Sequence, residues 1–229
     1  MSKVDLSVVI PSLKEHQNLK ILIPQIIKIL KKKISYEILI IDEINKDLKT
    51  FNITKINKNI KYLNRRTNND YGNAVRLGIK KSKGKFILFM DADFSHAPSF
   101  IPKLYSHKLN DIVIASRYID GGNSDNNFSL KFLSRVLNFF YGIVLGLHLK
   151  DISNSFKLYN AKKLKKLKLK CNHFDIIEEI IFKFRVNNKK SNFKEIPYHF
   201  RKRKYGKTKR NLFIIFAYLI SIIKIRFSN

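Results

Sequence analysis

Cysteine is almost missing from this chain: of 229 residues only Cys171 carries a thiol. That excludes an intrachain disulfide and a thiolate zinc cluster, and it fits a reducing compartment. Carboxylates are scarce as well. Seventeen Asp and Glu stand against 46 Lys and Arg, a formal net charge of +29. Such a balance calls for anionic partners: nucleic acid, acidic lipid or phosphorylated substrates. No nucleic-acid recognition motif accompanies the charge. Part of the excess comes from a composition rich in Ile and Asn, as an A/T-biased genome produces, so charge alone selects no partner. Long apolar runs are also absent. No segment reaches the roughly 18 uninterrupted apolar residues of a spanning helix, and residues 1–11 do not read as a signal peptide. Internal repeats and low-complexity linkers are lacking, so the length accommodates one domain with a small appendage.

What is present alternates between strand and helix. Apolar runs predict strands at 6–11, 37–41, 60–63, 86–90 and 111–115, with helical periodicity at 19–31 and 72–81 between them. Strands separated by helices imply βαβ units, an α/β fold and a mostly parallel sheet. The segment 121–127, with Gly-Gly, Asn, Ser and Asp and no apolar anchor, is expected to be mobile.

The most informative run is Phe86-Ile87-Leu88-Phe89-Met90 leading into Asp91-Ala92-Asp93. Five apolar residues read as a buried parallel strand, and open α/β sheets bind ligands at the carboxyl ends of their strands. If the extended geometry persists, the i, i+2 spacing puts both carboxylates on one face. Two such groups can hold a hard divalent cation, which can in turn hold a diphosphate. A lone pair of this kind reads more readily as a solvated acidic turn. The next five residues, Phe94-Ser95-His96-Ala97-Pro98, separate the two readings.

The stretch Met90-Asp91-Ala92-Asp93-Phe94-Ser95-His96-Ala97-Pro98 resembles the metal-binding signature of family 2 glycosyltransferases, and within them the dolichol-phosphate mannosyltransferases and other polyprenyl-phosphate glycosyltransferases. Further blocks resemble that family in its own order: Val8-Val9-Ile10-Pro11 with Glu15 and Asn18, Tyr71 to Gly78, Ala115-Ser116-Arg117-Tyr118, Asp151 to Tyr159, and a closing block from Glu195 through Arg203 and Lys209. The resemblance covers about residues 5–210. It implies a GT-A-type nucleotide-binding fold over 1–210, with a mostly parallel central sheet flanked by helices. Residues 211–229 would form a C-terminal amphipathic, membrane-interfacial helix.

Carried over residue by residue, the resemblance implies that Pro11, Glu15, Asp42, Glu43, Asp91, Ala92, Asp93, Arg203 and Lys209 bind a nucleotide-sugar donor. Asp91, Asp93 and Ser95 would hold Mg²⁺ or Mn²⁺, and Arg117 and Lys131 the acceptor's phosphate, with Asp91, Asp93 and Arg117 as the catalytic set. A guanidinium suits a phosphate because its fork bonds two oxygens at once. Glu15 reads otherwise as a helix-start charge, Arg117 as a structural salt bridge, and 201–209 as a solvated basic run. The segment Asp42-Glu43-Ile44-Asn45-Lys46-Asp47 departs from the family pattern by losing a Gly-Ser turn, which leaves base identity and activity open.

The implied reaction moves a hexose, mannose or glucose, from a GDP- or UDP-sugar to polyprenyl or dolichyl phosphate with inversion. Two other readings stand beside it: transfer to a cell-surface glycan, and a catalytically idle homologue acting as a binding subunit. Residues 128–149 and 212–223 are apolar with basic residues within or flanking them, as in helices that lie on an anionic membrane. Both can also be core helices of the domain, and for the first that reading has equal weight. For the second, with no evident core left to join, the membrane or a dimer partner is expected, and hence peripheral attachment to the cytoplasmic face.

Overall fold

The computed structural model describes residues 4–31, 33–202 and 212–227, the side chains of the last stretch from Leu219 onward. Its first half runs β1 (Leu6–Pro11), α1 (His16–Leu30), β2 (Tyr36–Asp42), α2 (Leu48–Ile53), β3 (Ile60–Asn64), α3 (Tyr71–Lys81), β4 (Phe86–Phe89) and α4 (Ile101–Ser106). Next come β5 (Ile112–Ser116), β6 (Asn123–Ser124), α5 (Phe128–Leu145), β7 (Lys157–Asn160) and α6 (Ala161–Leu164). The last elements are α7 (Ile176–Asn187), β8 (Phe193–Pro197), β9 (His199–Phe200) and α8 (Leu212–Phe227).

The sheet has the order β3-β2-β1-β4-β7-β5-β8. All its pairings are parallel except those of β7, which runs antiparallel to both β4 and β5. Because side chains alternate along a strand, Val8, Ile10, Ile38 and Ile40 face a core built with Leu22, Ile23 and Ile26 of α1. Val9, Leu39, Ile41 and Phe89 face the other core, with α3 and α7. Burial on both faces is why these strands read as unbroken apolar runs. Helix α3 lies so close to the sheet that a Cβ on Gly78 would come within 2.4 Å of Val9 Cγ1.

The five expected strands and the helices expected at 19–31 and 72–81 are present, with ends no more than three residues from those predicted. Three expectations change. Strand β4 stops at Phe89, so the two aspartates stand in a turn rather than on an extended strand. The segment 121–127 is tied down: β6 pairs with β9, and the Asp125 amide donates to Phe200 O at 2.9 Å. Backbone pairing there replaces the apolar anchor that the sequence lacks. Helix α8 does find a core, since Ile222 and Ile225 are buried among residues of α7 and α5. Strand β7 had no signal in the pattern, because Lys157-Leu158-Tyr159-Asn160 is too short and polar to read as a strand.

Candidate active site

The carboxyl ends of β1, β2, β3, β4 and β5 converge on one edge of the sheet, where strand order reverses between β1 and its neighbours β2 and β4. Three buried polar groups on this edge have no hydrogen-bond partner among the described residues: Ser12 Oγ after β1, both carboxylate oxygens of Asp42 at the end of β2, and Arg65 Nε after β3. Asp42 is 1% exposed. Burial pushes its carboxyl above the usual range, against the pull of the Glu43 amide and the nearby Tyr62 and Ser12 hydroxyls. The rest of the Arg65 guanidinium is used on backbone, donating to Ser12 O and Asn69 O. Leaving such groups unpaired costs about 1–3 kcal/mol each, and together they mark a place where a polar ligand completes the structure.

Beside them the turn after β4 carries the two aspartates. Asp93 is buried, and its Oδ1 accepts from the Ser95 amide at 3.0 Å and the Ser95 hydroxyl at 2.5 Å. Asp91 is more open, with a side chain 28% exposed, and its Oδ2 accepts from Ser155 Oγ at 3.1 Å. His96 is fully buried, which holds its imidazole below the usual pKa and therefore neutral. Its Nδ1 accepts the Asp91 amide at 2.9 Å, which leaves the proton on Nε2, 3.2 Å from Asn154 Oδ1. His96 thus packs and orients the turn. Among the described residues no group of three or more His, Cys, Asp or Glu can cage a metal. Two oxygen-donor carboxylates are still the usual protein share for Mg²⁺ or Mn²⁺ that also binds substrate phosphates, so the residues fit such an ion.

Arg117, after β5, is 4% exposed and grips Asp151, which is fully buried. Its Nε donates to Oδ2 at 2.8 Å and its Nη2 to Oδ1 at 2.7 Å, a bidentate pair reinforced by Nη2 to Ser153 Oγ at 3.0 Å. Burial opposes the Asp151 charge, yet the guanidinium outweighs it and holds that carboxyl below the usual range. The fork expected for a phosphate is therefore spent on Asp151 along its Nε–Nη2 edge. The loop beyond Asp151 is held from two sides. Asn138 of α5 accepts the Ile152 and Ser153 amides at 2.7 and 2.9 Å, while the buried Lys157 ammonium donates to Ile152 O at 2.8 Å and to Asn154 O. Arg135, on α5, lies over the Tyr118 ring at 5.6 Å, and Arg117 lies over the same ring at 4.8 Å.

Of the other residues singled out in the sequence, Pro11 closes β1 and Ala92 is buried between the aspartates. Glu15 precedes α1 and accepts from Asn18 Nδ2. Glu43 is half-buried, and its carbonyl accepts from Asn64 Nδ2 at 2.8 Å. Lys131 Nζ donates to Asn123 Oδ1 at 3.2 Å. Ser95 is buried with its proton committed to Asp93, so it orients that carboxylate. Arg203 and Lys209 lie outside the described residues. Sequence reasoning passed over Ser12, Arg65, Arg135, Asn138 and Lys157. Arg65 stands one residue after β3 on the strand-end edge, and position alone could have flagged it.

Comparisons agree with this architecture. The model of the family described as glycosyl transferase family 2 matches residues 7–168. A dolichol-phosphate mannosyltransferase from Pyrococcus furiosus is 30% identical over 226 residues, covering 96% of this chain and 63% of the relative. The chain therefore spans under two thirds of that protein. An undecaprenyl-phosphate mannosyltransferase from Micrococcus luteus is 30% identical over 173 residues, with coverage of 71% of this chain and 69% of the relative. Among solved structures, glucosyl-3-phosphoglycerate synthase from Mycobacterium tuberculosis, in complex with Mn²⁺, UDP and phosphoglyceric acid, superposes with a TM-score of 0.73 at 15% identity, covering 97% of this chain and 78% of that one. With a family match over most of its length and the GT-A fold in place, this chain belongs to glycosyl transferase family 2.

Proposed function

We propose that this protein transfers a hexose from a nucleotide sugar to a polyprenyl phosphate by direct, inverting displacement. The observation that carries the donor half is the set of Ser12 Oγ, the Asp42 carboxylate and Arg65 Nε, unpartnered among the described residues, beside Asp91 and Asp93. Asp42 offers two acceptor oxygens to the N–H edge of a base, and Arg65 Nε and Ser12 Oγ offer donors. Asp91 and Asp93 would hold Mg²⁺ or Mn²⁺, whose charge offsets that growing on the departing nucleoside diphosphate. The solved neighbour holds Mn²⁺ and UDP, which supports this assignment.

The acceptor half rests on relatives whose names specify dolichol phosphate and undecaprenyl phosphate. Among the described residues, Arg135 and Lys131 on α5 are cations open to a phosphate, and Arg117 offers it Nη1. A lipid phosphate is already ionised, so it needs orientation more than a general base. Peripheral attachment to the cytoplasmic leaflet fits the same reading. α5 is long and apolar enough by length and composition to cross a membrane, yet it carries Phe128, Phe132, Phe139 and Ile143 exposed along one side, with Lys131 and Arg135 among them. Such a face suits an anionic lipid surface.

The test is to incubate purified protein with radiolabelled GDP-mannose or UDP-glucose, Mg²⁺ or Mn²⁺, and polyprenyl phosphate. Labelled lipid is expected, lost reversibly in EDTA and lost in Asp93→Ala with the fold intact. Nucleotide binding without labelled lipid from any donor would overturn transfer and leave a binding subunit. Full activity in EDTA would remove the metal.

A further inference from the structure

Phe94, between Asp93 and Ser95, has φ +68°. A residue with a Cβ seldom adopts this left-handed conformation, and it persists only where surrounding contacts over-determine it. Inside the turn, Ser95 bonds Asp93 Oδ1 twice. One tie from outside the turn comes from Tyr198, between β8 and β9. Its hydroxyl accepts the Ala97 amide at 2.7 Å and donates to Ser95 O at 2.7 Å. One phenol thereby bonds backbone groups on both sides of His96, two residues beyond the carboxylate.

Tyr198 is itself immobilised. It is 3% exposed, with its ring edge-on to Phe156 at 5.3 Å and tilted against Phe100 at 4.7 Å. Its amide donates to Ser116 O at 2.9 Å, and its carbonyl accepts the Asn123 amide at 3.0 Å. The hydroxyl is therefore a fixed point against which the turn is held. A second tie to Ser95 O comes from the Arg201 amide at 3.3 Å. That bond is longer, and it does not restrain Ala97.

We propose that Tyr198 is a positioning residue for the metal-binding carboxylate Asp93. By bonding Ala97 N–H and Ser95 C=O, its hydroxyl keeps the strained turn in the form that aims Asp93 at the cation. This rests on the reading of Asp91 and Asp93 as the ligands of a cation and nucleotide. Removing the hydroxyl leaves a buried amide unpaired. The turn then relaxes toward negative φ at Phe94 and carries Ser95, and both its bonds to Asp93, out of place.

Tyr198→Phe keeps the ring packing and deletes only the oxygen. Mn²⁺ binding in the presence of UDP or GDP, monitored by electron paramagnetic resonance, is compared with hydrogen exchange at the Ala97 amide in the metal-free protein. Ile196→Val, one core methylene on β8, controls for general loosening. Tyr198→Phe is expected to weaken Mn²⁺ binding roughly tenfold, the loss of about one hydrogen bond, and to speed Ala97 exchange at least as much. Ile196→Val should lower Tm without either change. Unchanged Mn²⁺ affinity in Tyr198→Phe, with or without faster exchange, overturns the inference. So does an equal loss in Ile196→Val. If the wild type takes up no Mn²⁺ with either nucleotide, the metal reading falls and the inference falls with it.

Discussion

Asp42 carries the sharpest residue-scale consequence. A buried carboxylate with no hydrogen-bond partner among the described residues is a liability to the free protein and an asset once a donor N–H reaches it. Its pKa is raised by burial, so the folded state favours the protonated acid, and the cost of the charge disappears as pH falls through that raised pKa. Asp42→Asn should therefore raise Tm at neutral pH, with the gap to wild type closing in acid. It should also weaken UDP or GDP binding by about tenfold to a hundredfold, the range of about 1.5–3 kcal/mol for a bond to a charged group. Thermal melts and titration calorimetry measure the two effects. Unchanged nucleotide affinity would take Asp42 out of the site. The aspartate was legible from its place after an apolar run. Its lack of partners was not, because Tyr62 and Ser12 come near it only through pairing of three separate strands.

At the scale of elements, the opposite edge of the sheet holds a buried acid with the reverse logic. Glu37 of β2 accepts from Ser7 Oγ at 2.7 Å, the Lys83 amide at 2.5 Å and Lys61 Nζ at 2.6 Å, tying β1, β2, β3 and the approach to β4 together. Burial opposes its charge, but the bonds from Lys61, Ser7 and Lys83 outweigh it and hold its pKa below 4.5. A depressed carboxylate contributes stability above its unfolded pKa and loses it as pH falls through its folded one. Wild-type Tm should thus drop as pH falls below about 4.5, and Glu37→Gln should start lower at neutral pH and lose less across that range. Parallel acid melts that stayed equally steep would show that Glu37 is not the group responsible. None of this was visible in the sequence, where Glu37 is a charged residue at the head of an apolar run. The strand β7 was hidden because Lys157 reads as an exposed charge, whereas it is buried and donates to the carbonyls of Ile152 and Asn154 in the loop just before the strand.

For the whole molecule, α8 packs against α5 and also shows apolar residues to solvent: Ile220, Ile223 and Phe227 are exposed while Ile222 and Ile225 join the core. Deleting 211–229 would open that core, so truncation cannot isolate membrane contact. Phe132→Asp with Phe139→Asp changes only exposed positions. In flotation assays the wild type should bind anionic vesicles and detach with added salt. The double variant should bind at least about tenfold less, since burying each phenyl group contributes about 1.5–3 kcal/mol. Equal flotation of both proteins would move the contact elsewhere, and no flotation of the wild type would end the peripheral-membrane proposal.

Local chemistry in the sequence was enough to determine the α/β class, the strand ends that bear Asp42, Asp91 and Arg117, and the family blocks in their order. Each of these depends on neighbours along the chain: apolar runs, strand and helix periodicity, and short motifs. Tertiary structure alone decided how those residues are used. It spent the Arg117 fork on Asp151, set Arg135 beside it through Tyr118, left Ser12 Oγ, the Asp42 carboxylate and Arg65 Nε without partners among the described residues, and gave α8 a core to join. It also closed the Asp93 turn with a hydroxyl from more than a hundred residues away, Tyr198 on Ser95. The reason is physical. A hydrogen bond or a buried face belongs to a pair of groups, and in this fold the partners come from strands and loops that the chain order keeps far apart.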